Sequence, residues 1–510
     1  MIFAHKSVRW RTRGKWGCES ARKKPQEVPK WHWYAILVCG IQWCVAHRKT
    51  IRRSKKEQRA VLWATATLGA VALADQRLSV RAVRILARKA SRPGDSIAQA
   101  SRTSADAKAW YRFLENERVA AAELWEPIHH HTAKGLRGLA CVVAVQDTTT
   151  LMLPGLKATT GLGTVDQPRE EALLMHSALA LGADGQPLGL LYNHVWARPL
   201  EEFGKGKDRK KHPIEEKESY EWILGVRQVT QLRDEHSPGT QLLHVFDRAG
   251  DVHEVLQEVV ERGQECVIRS CQDRRVEGQG GTLRGTVASG RVLVRRTIEV
   301  PRKKGRPRRR ARVELRSATV TLSPAPIYRQ RKALTIHVVW VHEPQPPEGV
   351  EGLDWLLLTT LPVRTACQCL RVVATYKLRW RVEEFHLVLK SGCKMEKTQL
   401  KRAERIEIQL AFCCAVAARL LQVTYLARTE PTRSCTVVLT EDEWKVLCAY
   451  VRQEPIARAH SPPTIHEAVK MIGRLGGHLG RKCDGMPGVR SLWRGWRDLQ
   501  VLVEGYHIAR

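Results

Sequence analysis

The chain has 14 cysteines but no Cys-x2-Cys pair. Its nearest cysteine neighbours, Cys367 with Cys369 and Cys413 with Cys414, fall in helical-looking sequence, where a ligand cage does not form. Neither a zinc centre nor a disulfide framework is indicated, and reduced thiols in a cytosolic protein are expected. Acidic residues are also too few to balance the basic ones: 52 Asp and Glu stand against 85 Lys and Arg, a formal net charge of +33. A metabolic enzyme has no need of such an excess. It attracts polyanions, nucleic acid ahead of an anionic membrane surface. A long apolar run near the N-terminus is missing too. The stretch Trp33 to Ala46 is short and interrupted for a bilayer span, lies deep for a signal peptide, and is followed by no clear cleavage site. No membrane partner is expected.

What is present is long enough for roughly two to four domains. Residues 1–60 mix basic clusters with that apolar run and read as a poorly structured extension. From about Leu62 the sequence becomes regular. Helical periodicity covers Asp75 to Ala90 and Ala105 to Glu117, the latter placing Lys108 and Arg112 one turn apart beside Trp110, Tyr111 and Phe113. Basic residues interleaved with aromatics suit DNA contacts; a buried aromatic face with solvated cations is the plainer reading. His129 to His131 point in different directions on a helix, without an evident second cluster, and read as surface.

The period then changes. Cys141 to Leu153 is a β-branched strand carrying Asp147 near its far end, and Leu173 to Arg198 reads as a hairpin around Ala183 to Gln186. A helix from Ser219 leads to a buried strand ending at Asp247, then a further helix and strand. Antiparallel strands followed by strands alternating with helices indicate a mixed α/β sheet. A β-rich insertion is expected over about 274–351. It contains the cationic run Pro301 to Arg312, which looks like a minor-groove hook but suits phosphate contact without sequence preference better. Helical segments from about Leu400 onward form the C-terminal part.

The stretch Tyr376 to Lys390, YKLRWRVEEFHLVLK, organises these pieces. As one helix it places Tyr376, Arg379, Glu383 and Lys390 within roughly 60° of one another around the axis. An ordinary surface ion-pair array is the alternative. Asp147 and Asp247 each have an alternative too, as strand-end turn residues. Together with Glu383 they form a carboxylate cluster when the strand ends and the helix converge. Two bare carboxylates about 4 Å apart repel by about 4 kcal/mol at an effective dielectric of 20, so the cluster calls for hard cations, Mg²⁺ or Mn²⁺. A pair of ions suits in-line phosphodiester displacement.

VQDTTTL around Asp147, VFDRAGDVHEVL around Asp247 and the Tyr-x2-Arg-x3-Glu-x6-Lys spacing of Tyr376, Arg379, Glu383 and Lys390 resemble the motifs of the DDE transposases of bacterial insertion sequences. The closest likeness is to the hairpin-forming, cut-and-paste branch of the insertion-sequence-four family. It runs from about Leu62 to the tail motifs IGRLGGHLG and LWRGW. The resemblance implies an RNase H-like catalytic core at 138–395, a helical DNA-end-binding domain at 61–135 and a helical dimerisation region at 396–510. It implies a metal triad of Asp147, Asp247 and Glu383, with Tyr376, Arg379 and Lys390 holding phosphates. By the same likeness Trp355 stacks on a flipped base, or alternatively is a core residue at a strand start, and Arg269 lies near the DNA end. It implies double-stranded DNA as partner, a homodimer in a synaptic complex and a nucleoid-associated place in a bacterial cytoplasm. One position departs: Leu387 stands where the family has a lysine. Two other readings are a catalytically silent DNA-binding relative and an RNase H-like nuclease that never joins ends.

Overall fold

The computed structural model describes residues 55–509 apart from 157, 166–170, 200, 202–211, 278–280, 301–307, 325–331 and 482–483. Residues 1–54 of the expected extension and most of the cationic run Pro301 to Arg312 therefore lie outside the described residues, while residues 55–60, expected to belong to that extension, are helical.

The chain begins with helices α1 (Lys55–Leu68), α2 (Gln76–Ser91), α3 (Ile97–Ala100), α4 (Ser104–Leu114) and α5 (Ala121–Lys134). Side-chain caps start three of them: Asp75 accepts from the Arg77 amide, Ser96 from Gln99 and Thr103 from Asp106. Such caps satisfy amides that have no partner inside the helix. Next come β1 (Cys141–Met152), β2 (Ala172–Gly182), β3 (Pro187–Trp196), α6 (Tyr220–His236), β4 (Gln241–Phe246), α7 (His253–Glu261) and β5 (Glu265–Arg269). They are followed by α8 (Leu283–Ser289), β6 (Val292–Val300), β7 (Arg309–Leu322), β8 (Leu334–His342), β9 (Asp354–Thr359), α9 (Ala366–Lys377) and α10 (Trp380–Leu387). The chain closes with α11 (Ala403–Thr429), α12 (Glu441–Arg452), α13 (Ile465–Leu475) and α14 (Val489–Ala509).

The strands form one nine-stranded sheet in the order β3-β2-β1-β4-β5-β9-β8-β7-β6. β1 pairs antiparallel with β2 and parallel with β4, and β5 is parallel to β4. A hairpin followed by parallel strands with helical crossovers is the RNase H-like α/β arrangement. β6 to β8, from the expected insertion, are not a separate sheet. They continue the same one outward from β9 by antiparallel pairing.

Alternation along the strands assigns the faces. Val143 and Val145 of β1 join the large core that contains Val382 and Phe385 of α10, while Val142 and Ala144 pack with Val229 and Leu232 of α6. Asp147, two residues beyond Val145, is therefore turned to the face that α10 covers. α11 packs on α2, α5 and β3. It is long and apolar enough to cross a membrane by length and composition, yet 83% of its most apolar window is buried inside the protein. α13 and α14 cross where glycines face backbone: a Cβ on Gly495 would fall on the Ile472 carbonyl, and one on Gly476 on that of Ser491.

Candidate active site

Strand register brings the two aspartates together. In the parallel pair β1–β4, Val145 lies opposite Val245, so Asp147 and Asp247, each two residues further on, emerge at the same level of neighbouring strands. Asp147 lies within β1, which runs on to Met152, and not at its end. Asp247 follows β4 directly and accepts from the Ala249 amide at 2.8 Å, opening a short 3-10 turn. Asp251 fixes the far end of that turn. It is buried, accepts from Ser270 Oγ at 2.9 Å and the Cys271 amide at 2.8 Å, and pairs with Arg274 at 2.6 Å.

Glu383 enters from α10, which is not continuous with α9. The stretch Tyr376 to Lys390, expected as one helix, breaks at Leu378 and Arg379, where Arg379, Arg381 and Val382 donate to carbonyls three residues earlier. Leu378 at this break lies against Gly185 in the β2–β3 turn, and Arg381 donates to the Gly185 carbonyl at 3.5 Å. After Leu387 the coil widens into a π turn, Val388–Gly392, closed by the Cys393 amide on the Val388 carbonyl. A tightened link and a widened turn each change the angular step per residue, so contacts with the sheet, and not one uniform helical face, bring these side chains together.

Arg379 Nη1 lies 3.1 Å from Glu383 Oε1 and 3.5 Å from Asp147 Oδ2. Burial, then Asp247 and then Glu383 push the Asp147 carboxyl well above the usual range, against Arg379 and the Thr148 amide. Burial also raises Asp247, against the amides of Ala249 and Gly250. Although burial opposes its charge, Tyr376 and the three carboxylates hold the Arg379 guanidinium firmly protonated. Crowded carboxylates that resist ionisation fit a hard divalent cation, which relieves the repulsion that raises them. His386 joins Asp147 and Glu383: ligand atoms of these three lie within 4.8 Å of one another, a group that does not include Asp247. Among the described residues the Nε2 of His386 is buried without a hydrogen-bond partner, and burial, reinforced by Lys390, lowers its pKa to about 3, leaving a neutral imidazole. Sequence reasoning passed over His386, though its place three residues after Glu383 was a usable signal.

Tyr376, Arg269 and Trp355 form a second layer. Tyr376 is buried, and its ring meets that of Trp355 edge-on at 5.7 Å. Arg269, at the end of β5, donates to the Asp354 carbonyl at 3.2 Å. Burial lowers its pKa, partly offset by Tyr376. Trp355 is 7% exposed, its indole N–H without a partner among the described residues, so here it occupies a core position. Lys390 approaches Glu396 at 3.8 Å; burial lowers its pKa against the pull of Glu396, Glu383 and Asp147. Leu387 is half-buried against the main core. Lys108 and Arg112 lie elsewhere, exposed on α4, where Trp110 and Phe113 are buried and Tyr111 is exposed.

The histidine run departs from its surface reading. His129 faces inward, bonded to Asn193 at 3.2 Å, and burial lowers its pKa to about 4. His130 meets Glu235 and His236 of α6 in a cluster that sequence spacing did not reveal.

Three family models match the chain, all of them transposase models. Residues 60–119 match the transposase DNA-binding model, 226–419 the transposase DDE domain, and 415–510 the transposase Tn5 dimerisation domain. The DDE match holds Asp247 and Glu383; Asp147 precedes it and reaches them through the β1–β4 register. In chain order the matches are to a DNA-binding, a DDE and a dimerisation domain, so the protein carries the domain set of a DDE transposase.

Proposed function

We propose that the protein excises a DNA element by cutting its ends and joins those ends to target DNA, as a member of the hairpin-forming, insertion-sequence-four branch. The observation that carries this reading is the convergence of Asp147, Asp247 and Glu383 around Arg379. Asp147, Asp247 and Glu383 would hold two divalent cations, Mg²⁺ or Mn²⁺, whose chemistry there would be to activate a water or a 3′-hydroxyl and to stabilise the departing oxygen. Arg379, with its planar fork, is suited to a phosphate oxygen once cations take over the charge it now balances. Tyr376 and Lys390 border the same face, and Arg269 holds the strand end behind them. The sequence of events is hydrolysis at the element end, attack of the freed 3′-hydroxyl on the opposite strand to give a hairpin, reopening, and strand transfer.

The division of labour follows: 61–135 reads the terminal inverted repeats, 138–395 cuts, and 396–510 pairs two subunits in a synaptic complex. The test is cleavage of a supercoiled donor plasmid bearing the element ends. Metal-dependent cutting with hairpin and strand-transfer products is expected, and its loss in Asp147→Ala, Asp247→Ala and Glu383→Ala. Full cleavage by any of these variants overturns the triad. Cutting without hairpins or joined products leaves a nuclease, and binding without cutting leaves a silent relative.

A further inference from the structure

Where α5 and α6 meet, two imidazoles point at each other. His130 Nδ1 lies 2.6 Å from His236 Nε2, with the rings edge-on at 89°. Glu235 Oε2 stands 3.9 Å from each of these nitrogens, so one oxygen and two nitrogens outline a triangle. We propose that His130, Glu235 and His236 are a second cation site, sharing no residue with the Asp147 cluster, that takes a borderline transition-metal ion such as Zn²⁺ and ties α5 to α6.

The chemistry favours that class of ion. Two nitrogens and one carboxylate oxygen match the ligands of tetrahedral zinc and are a poor set for Mg²⁺, which prefers oxygen. With bonds of about 2.0–2.1 Å, tetrahedral ligands stand about 3.3–3.4 Å apart. The His–His edge has to open and the two Glu235 edges have to close by similar amounts. The Glu235 side chain is 40% exposed, and its Oε1 accepts from Gln231 Nε2 at 2.8 Å, which leaves Oε2 to turn toward the ion. As they stand, the two facing nitrogens can share only one proton, whereas a cation accepts both lone pairs. Glu126 lies one turn before His130 with Oε1 4.0 Å from the other ring nitrogen, Nε2, placed to orient the ring as an outer carboxylate does in many metal sites. Lys134 and Arg137 act against a cation. Both are exposed, and Arg137 Nε is turned to the His236 carbonyl at 3.1 Å. The consequence is mechanical. α5 follows the residues that match the DNA-binding model and α6 leads into β4 and Asp247, so the ion joins those two parts at one point.

The test uses the full chain without a polyhistidine tag, in an Asp147→Ala, Glu383→Ala background that removes the other site. Equilibrium dialysis with Zn²⁺ against excess Mg²⁺ is expected to leave one Zn²⁺ per chain, and Co²⁺ to give the intense visible absorption of a four-coordinate site. His130→Ala and His236→Ala are expected to lose the absorption and weaken binding at least tenfold, with far-ultraviolet circular dichroism unchanged. Should either alanine variant fail to fold, His236→Gln and Glu235→Gln give the same reading at partly exposed positions. No Zn²⁺ on the parent chain, or equal Zn²⁺ on the folded variants, overturns the proposal and leaves a plain histidine hydrogen bond.

Discussion

Arg379 Nη1 stands between Glu383 and Asp147, 3.1 Å from one carboxylate and 3.5 Å from the other, joining a helix to a strand far away in sequence. The position needs a planar fork more than it needs a charge. Arg379→Lys keeps the charge and loses the geometry, and is expected to slow single-turnover end cleavage by on the order of 10²-fold, with DNA affinity little changed. Cleavage at the parental rate would remove Arg379 from the phosphate-holding group.

The Asp147 carboxyl is raised above its unfolded value, so its contribution to stability is present at low pH and lost as pH rises through the folded value. Without divalent cations the protein is therefore expected to gain thermal stability as pH falls through the folded value toward the ordinary carboxylate range. Asp147→Asn is expected to stabilise it at neutral pH by on the order of 1 kcal/mol. The same substitution should abolish the upward shift in Tm that Mg²⁺ or Mn²⁺ gives the parent. Thermal melts in chelator and in metal check both signs.

Lys108 and Arg112 are exposed one turn apart on α4. The double substitution Lys108→Ala, Arg112→Ala is expected to flatten the dependence of log K on log salt by roughly 0.9 for each phosphate no longer neutralised. Binding titrations from low to moderate salt measure it. An unchanged slope would mean that this face of α4 does not meet the DNA backbone.

Asp251 and Arg274 are a buried pair, their side chains 0% and 13% exposed. Removing one partner strands the other, so Asp251→Ala is expected to cost about 3–5 kcal/mol in urea unfolding. It should also loosen the turn that carries Asp247.

At the α13–α14 crossing, a Cβ on Gly495 has no room beside the Ile472 carbonyl. Gly495→Ala must push the helices apart, at a cost of about 1–3 kcal/mol or more. Subunit association, followed by analytical ultracentrifugation, is expected to weaken with it. Gly505→Ala, where a Cβ meets nothing within 4 Å, serves as the control.

Local spacing made much of this protein legible. The charge excess pointed to nucleic acid, the switch from helical to strand period outlined an α/β core, and the residues from Tyr376 to Lys390 marked the helical wall of the site. Each of these is written within a few neighbouring residues. Long-range pairing is not. The opposition of Val145 and Val245 sets Asp147 beside Asp247, and a one-residue slip would turn a carboxylate to the other face. The continuation of the insertion strands from β9 belongs to the same class. So do the break at Leu378, the entry of His386 into the carboxylate cluster, the burial of Trp355 against Tyr376 and the meeting of His130 with His236. In each case the partner lies on another element, or the deviation comes from packing against one. The sequence alone determined which side chains were available; the packing of α9 and α10 across one face of the sheet decided which of them meet.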